Sequence, residues 1–326
     1  MNKLLVLLAL LMLTACRPSE ETPAPASSAP PEAAATASES TPSPAEEPIE
    51  TSGFESDTES NTVRLARVLA AQSPEMRARY DARHPQQTLE FFGITPGMTV
   101  VEALPGGGWY SRILMAYLGD QGRLIGANYA LEMWPLFPFG TEEFMVQMRQ
   151  WPEQFPVQAG QWCSSDCAGV DTFWFGSLPE RLHDQADVVL FVRALHNLAR
   201  FNDEHGYLDA ALADAYAVLK PGGVFAVVQH EARAEMPDDW AGGDNGYLKR
   251  GFVIAQAEAA GFEFEAASEI NANASDQPTA SDIVWRLAPS YRTTAEGTAE
   301  REAIAAIGES NRMTLKFRKP ALATEE

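Results

Sequence analysis

The sequence predicts an α/β domain over residues 62–320: a doubly wound, mainly parallel sheet preceded by short helices. Three observations carry that reading. Apolar runs without alternation, among them "TVVEAL", "ADVVLFVRAL" and "VFAVVQH", read as strands hidden on both faces, which is the mark of parallel pairing. Helical patterns separate these runs, and alternating strands and helices imply crossover connections. The first run leads straight into "PGGG", a sharp turn from strand to helix.

The elements follow in order. "TVRLARVLAA", "PEMRARYDA" and "PQQTLEFFG" are short helical patterns, the last with Pro85 at a first helical position and Gly93 at its close, and together they would cover one edge of the sheet. "ITPGM" turns at Pro96 and Gly97 into the first strand. Beyond the glycines, Tyr110, Ile113, Leu114 and Tyr117 recur at three-and-four spacing up to Gly119, so a helix follows. "GRLIGANY" is the next strand. The aromatic, proline-containing stretch "ALEMWPLFPFGTEEFMVQMRQWPEQFP" fits no simple crossover and reads as an insertion over the top of the sheet. A strand near "DTFWFG", the strand "ADVVLFVRAL", a helix over residues 203–219, the turn "KPGG" and the strand "VFAVVQH" resume the alternation. "YLKRGFVIAQAEAAG" is helical, and "FEFEAASEI" and "RMTLKFRK" would close the domain as a hairpin of strands.

Outside this domain the composition changes. Residues 1–15 carry Lys3 and then "LLVLLALLMLTA", too short to span a bilayer but suited to a secretion signal. The ending "LTAC" resembles the lipobox of bacterial lipoproteins; that resemblance implies lipid attachment at Cys16, and Arg17 in the following position leans it towards the outer membrane. The alternative is a plain signal peptide with an incidental Cys16. Residues 16–61, rich in Pro, Ala, Ser and Glu, have almost nothing large and apolar to bury and read as a disordered acidic tether, as do residues 321–326 as a tail. The expected location is periplasmic, with the lipid as the only membrane element. A net charge of −21, with acidic residues in excess in the folded part too, argues against a nucleic-acid partner.

In an oxidising compartment Cys163 and Cys167 of "WCSSDC" favour a disulfide, with a free pair as the alternative. A metal site lacks a second Cys or His pair nearby, and His84, His183, His196, His205 and His230 show no ligand spacing. The sequence also has no Gly-x-Ser-x-Gly elbow, no His-Glu-x-x-His helix and no phosphate loop.

Taken in order, "HPQQTLEFFGITPGMTVVEALPGGGWYSRIL", "ADVVLFVRALHNL", "LKPGGVFAVVQH", "AEAAGFEFEAASEI" and "LKFRKP" resemble the class I S-adenosylmethionine-dependent methyltransferases, and within them a bacterial group of predicted methyltransferases. The resemblance implies a seven-stranded Rossmann-like sheet, S-adenosylmethionine as cosubstrate, and a small-molecule acceptor. It places the ligand's methionine part over the turn at Pro105, Gly106, Gly107 and Gly108, where glycines let the backbone approach closely. Glu102 would accept from loop amides or, through water, from the ligand's ammonium. Tyr110 and Trp109 would wall the pocket or simply pack. The family's acidic ribose partner corresponds to Asn128, for which Glu132 is a possible substitute, and a family glycine corresponds to Leu104. Ser177 and Leu178 of "WFGSLPE" fall where the family packs adenine, or are only a loop. In "RALHNL", His196 would be the base or a hydrogen-bond donor at the methyl-transfer position, or a satisfied structural residue, with Arg193 and Asn197 orienting bound molecules. Two readings follow: a lipid-anchored methyltransferase, or a lipid-tethered binding protein that kept the fold and lost the reaction. Binding of S-adenosylmethionine separates them.

Overall fold

The computed structural model describes residues 59–321. The secretion signal, the lipidation position Cys16, nearly all of the tether and residues 322–326 lie outside the described residues. Seven strands form one sheet: β1 (Thr99–Ala103), β2 (Arg123–Asn128), β3 (Gly169–Trp174), β4 (Ala186–Val192), β5 (Leu219–His230), β6 (Glu263–Ser268) and β7 (Arg312–Arg318). Their spatial order is β3-β2-β1-β4-β5-β7-β6; the first five pair in parallel, and β7 runs antiparallel between β5 and β6. This is the doubly wound, mainly parallel Rossmann-like sheet expected from the alternation of elements. The closing strands are antiparallel neighbours, but residues 269–311 separate them, so they are not a hairpin.

Helices cover both faces because the central strands are apolar on both. Val100, Leu124, Val188 and Leu190 face one core, shared with α1 (Asn61–Ala70), α4 (Pro85–Phe92), α5 (Trp109–Leu118) and α6 (Glu142–Gly160). Between α1 and α4 lie two short helices, α2 (Pro74–Arg77) and α3 (Tyr80–Arg83). The leading helices thus cover a face of the sheet through α5 and not its edge. Helix α1 opens at Asn61, with Ser60 accepting from the Val63 amide at 3.3 Å. On the other face Val101, Ile125, Val189, Phe191 and Phe225 share a core with α9 (Tyr207–Val218) and α10 (Arg250–Ala259), which follow α7 (Leu195–Arg200) and α8 (Asn202–His205); α11 (Ala299–Ile307) precedes β7.

The stretch expected as an insertion is largely a regular crossover. Helix α6 joins β2 to β3 and lays Phe155 against Gly126, where a Cβ would stand 2.8 Å from the phenyl ring. Its two internal prolines concealed it. Pro156 has no N–H for the carbonyl of Pro152, and the hydroxyl of Thr172 on β3 donates to that carbonyl instead, at 3.2 Å. The expected helix over 203–219 is split at Gly206 (φ 69°), and Asn202 caps the second piece by accepting from the amides of Leu208 and Asp209 at 2.9 and 3.1 Å. "KPGG" is a bulge inside β5: Ala186 pairs with Leu219 and Val188 with Val224, looping out the residues between.

Candidate functional site

Parallel strands that end together leave a crevice beyond their carboxyl ends, and here it is a cleft of about 720 Å³ over β1, β4 and β5. Leu104, Pro105, Gly106 and Gly107 form one wall. Arg193, His196 and Asn197 rise from the turn after β4, and His230 ends β5. Arg83, Trp109 and Trp285 close the sides.

The glycine turn is built residue by residue. Leu104 adopts left-handed backbone (φ 51°) and donates its amide to Ala127 on β2 at 2.7 Å. Leu104 therefore takes a conformation that suits glycine, the residue that the sequence resemblance led one to expect there, at a cost of about 1–2 kcal/mol. Gly106 (φ 56°) and Gly108 (φ 75°) are left-handed too. Gly107 is not, and a Cβ built on it meets nothing within 4 Å, so its bare backbone faces the cleft. Gly108 faces away: its Cβ would stand 2.2 Å from the ring of Trp162. Arg112 stacks on that ring at 4.6 Å, and the next residue, Cys163, is joined to Cys167 in a disulfide with Cα atoms 5.8 Å apart.

The remaining expected residues divide. Glu102 is 4% exposed and contacts neither a loop amide nor the cleft; Ser111 on α5 donates to it at 2.5 Å. Burial pushes the Glu102 carboxyl up to about 8, so it is predominantly protonated at neutral pH. Trp109 walls the cleft, whereas Tyr110 packs behind it, edge to face, with ring centroids 4.7 Å apart. Asn128 is turned inward: its Oδ1 accepts from the Tyr129 amide at 2.9 Å. Tyr129 is fully buried and its hydroxyl donates to the carbonyl of Ala194 at 2.7 Å, strapping the end of β2 to the turn after β4. Glu132 is exposed on a 3-10 turn (Leu131–Leu136), outside the cleft lining. Ser177 and Leu178 also lie outside it, because Asp214 on α9 accepts from the Gly176 amide at 2.6 Å and ties the loop back, with Leu178 packed on the core.

His196 is buried at the cleft floor. The carbonyl of Gly246 accepts from Nε2 of Gln229 at 3.1 Å, which orients that amide so that the same nitrogen also donates to His196 Nδ1, at 3.3 Å. This network assigns the imidazole proton to Nε2. Burial, reinforced by the charges of Arg193 and Arg200, holds the ring's pKa down at about 4, so His196 is neutral and presents Nε2–H as a donor, one of the two roles the motif suggested. His230 lies 5.6 Å away between ring centroids, with Nδ1 2.5 Å from Ser310 Oγ, and burial lowers its pKa as well.

Arg83, Arg112, His230 and Trp285 also line the cleft, and no local motif marks three of them. His230 had a legible signal, since it ends a parallel strand at the carboxyl edge. Trp285 is held there by a buried network in which Asp276 accepts from Arg286 at 2.7 Å and from Tyr247 at 3.0 Å. Among the described residues no group of three or more His, Cys, Asp or Glu is placed to hold a metal ion, and no helix is long and apolar enough to cross a membrane.

No protein-family model matches the chain, and no curated protein matches it. Solved structures do. A S-adenosylmethionine-dependent methyltransferase from Aquifex aeolicus is 13% identical, with 78% of this chain and 98% of that one covered and a TM-score of 0.43. An arsenic(III) S-adenosylmethionine methyltransferase from Chlamydomonas reinhardtii is 15% identical, covering 81% and 75%, with a TM-score of 0.42. A geranyl diphosphate C-methyltransferase from Streptomyces coelicolor, solved with S-adenosyl-L-homocysteine, is 12% identical, covering 81% and 86%, with a TM-score of 0.43. The fold assignment rests on the sheet itself.

Proposed function

We propose that this chain transfers a methyl group from S-adenosylmethionine to a small-molecule acceptor, as a lipoprotein anchored through Cys16 in the periplasm, on the outer membrane. The observation that carries the enzymatic reading is Gly107, a bare backbone position that opens on the strand-end cleft in the turn that the sequence motif marks. A Cβ there would fill space that a ligand's amino-acid part would use. Gly106 gives that turn its left-handed bend, and Pro105 fixes the approach.

Bound there, S-adenosylmethionine supplies an electrophilic methyl group on a sulfonium. The chain's own residues do the rest by position. Trp109 and Trp285 limit water at the sides of the cleft. The Nε2–H of His196 donates to the acceptor and orients it, and a ring that stays neutral at pH 7 adds no positive charge beside a sulfonium. Asn197, whose Nδ2 lies 3.4 Å from Tyr129 Oη, sets the turn that presents it.

One observation favours the second reading, a tethered binding protein without the reaction. The inward Asn128 and the Tyr129 strap leave no acidic ribose partner at the end of β2. Calorimetry of the full chain with S-adenosyl-L-homocysteine tests the proposal: wild type should bind and Gly107→Val should not, with both melting alike. Equal binding by the two would remove the glycine turn from the site.

A further inference from the structure

The wall of the cleft between α3 and the turn after β4 carries positive charge that its surroundings do not neutralise. Arg79, Arg83 and Arg312 converge on a single carboxylate, Glu309: Arg79 pairs with it closely, Arg83 Nε lies 3.2 Å from Oε1, and Arg312 lies 3.3 Å from Oε2. Arg312 is held further by the carbonyls of Ala82 and Ser310, and Arg83 lies over the ring of Trp109 at 4.6 Å.

Arg193 stands beside them and shares none of this. Its side chain makes no hydrogen bond or ion pair among the described residues, and its Nε is buried with no partner. Backbone, not a partner, puts it there: Arg193 is left-handed (φ 59°) and its amide donates to Val228 at 2.7 Å, which fixes the turn at the end of β4. Three guanidinium groups thus share one buried carboxylate and a fourth stands beside them with none, in a chain whose net charge is −21. Glu75, the acidic residue in the cleft lining, is exposed at its rim. A buried guanidinium nitrogen without a partner is costly, and the planar fork of donors of the half-buried Arg193 matches carboxylate and phosphate oxygens.

We infer that this wall binds an oxyanion group, phosphate or carboxylate, of the acceptor molecule, with Arg193 as its principal ligand, Arg83 beside it, and the Nε2–H of His196 as a neutral third donor. The indoles of Trp109 and Trp285 line the same space and offer apolar faces to the organic body that bears the anion. Only the word acceptor rests on the methyltransferase reading; the anion site stands on its own residues.

The test uses the purified full chain and three probes of similar size: phenyl phosphate, benzoate and neutral benzamide. At least one anion should bind, about tenfold or more tighter than benzamide, and Arg193→Gln should weaken that binding about tenfold or more, with Arg193→Lys losing less. Removing a crowded, unpartnered charge should leave the melting temperature of Arg193→Gln unchanged or raised, which a purely structural arginine would not do. Absence of anion binding at about 10 mM, equal affinity in Arg193→Gln, or benzamide binding as well as benzoate overturns the inference. Repeating the titration with saturating S-adenosyl-L-homocysteine separates the two proposals. Binding of both together supports an acceptor site, whereas competitive displacement would assign the wall to the amino-acid end of the cosubstrate and overturn it. If the anion binds and S-adenosyl-L-homocysteine does not, the methyltransferase reading fails and the anion site remains.

Discussion

Gly107 and Gly108 are adjacent in sequence and opposite in role, and alanine at each should show it. At Gly108 the backbone is left-handed (φ 75°), and a Cβ would stand 2.2 Å from the Trp162 ring, itself stacked on by Arg112 and followed by the disulfide. The conformational cost of an L-residue there is about 1–2 kcal/mol. Forcing a methyl into the packed indole adds about 1–3 kcal/mol. Gly108→Ala should therefore lose about 2–5 kcal/mol, which at about 3 °C per kcal/mol for a domain of this size lowers the melting temperature by about 6–15 °C. At Gly107 neither term applies, and alanine should stay within about 0.5 kcal/mol of wild type while protruding into the cleft. Circular-dichroism melts of the two variants in one buffer decide the matter. Equal losses at both positions, or none at Gly108, would refute the assignment of one glycine to the cleft and the other to Trp162.

Three further outcomes are expected, two from side-chain burial and one from the sequence ending "LTAC". Glu102 has a folded pKa raised by burial to about 8, so the folded state holds a proton that the unfolded chain releases near pH 4.5, and the stability this contributes is lost as pH rises to about 8. Glu102→Gln should remove that slope and melt higher than wild type at pH 8 but not at pH 5; parallel pH profiles would count against a buried neutral carboxyl. Asn128→Asp would place a carboxylate at a site only 4% exposed, so it should cost about 1–3 kcal/mol in a melt without improving S-adenosyl-L-homocysteine binding, and tenfold tighter binding would put residue 128 at the ribose after all. Cys16→Ser should abolish incorporation of a labelled fatty acid, and labelling equal to wild type would sink the lipid anchor.

Strands β1, β2, β4 and β5 were legible because burial on both faces writes itself as apolar runs, which have few other uses. Helix α6 was not, since the device that rescues its proline-interrupted hydrogen bonds, the Thr172 hydroxyl, sits on another element. The glycine turn was legible as a turn, but the division of labour among its residues was not: a leucine at position 104 does not announce the left-handed backbone that it adopts. Orientation was hidden at Asn128, where one hydrogen bond from the next amide turns the side chain inward. The cationic wall was invisible for a different reason. Arg83 and Glu309 are 226 residues apart in sequence, and only the insertion of β7 between β5 and β6 brings them together.

The central claim is that the cleft over Gly107 receives S-adenosylmethionine, and equilibrium dialysis of the full chain against the methyl-labelled compound tests it most directly. The account predicts saturable retention of label that unlabelled S-adenosyl-L-homocysteine displaces and that Gly107→Val abolishes. Folded, monodisperse wild-type protein that retains no label at about millimolar ligand would contradict it.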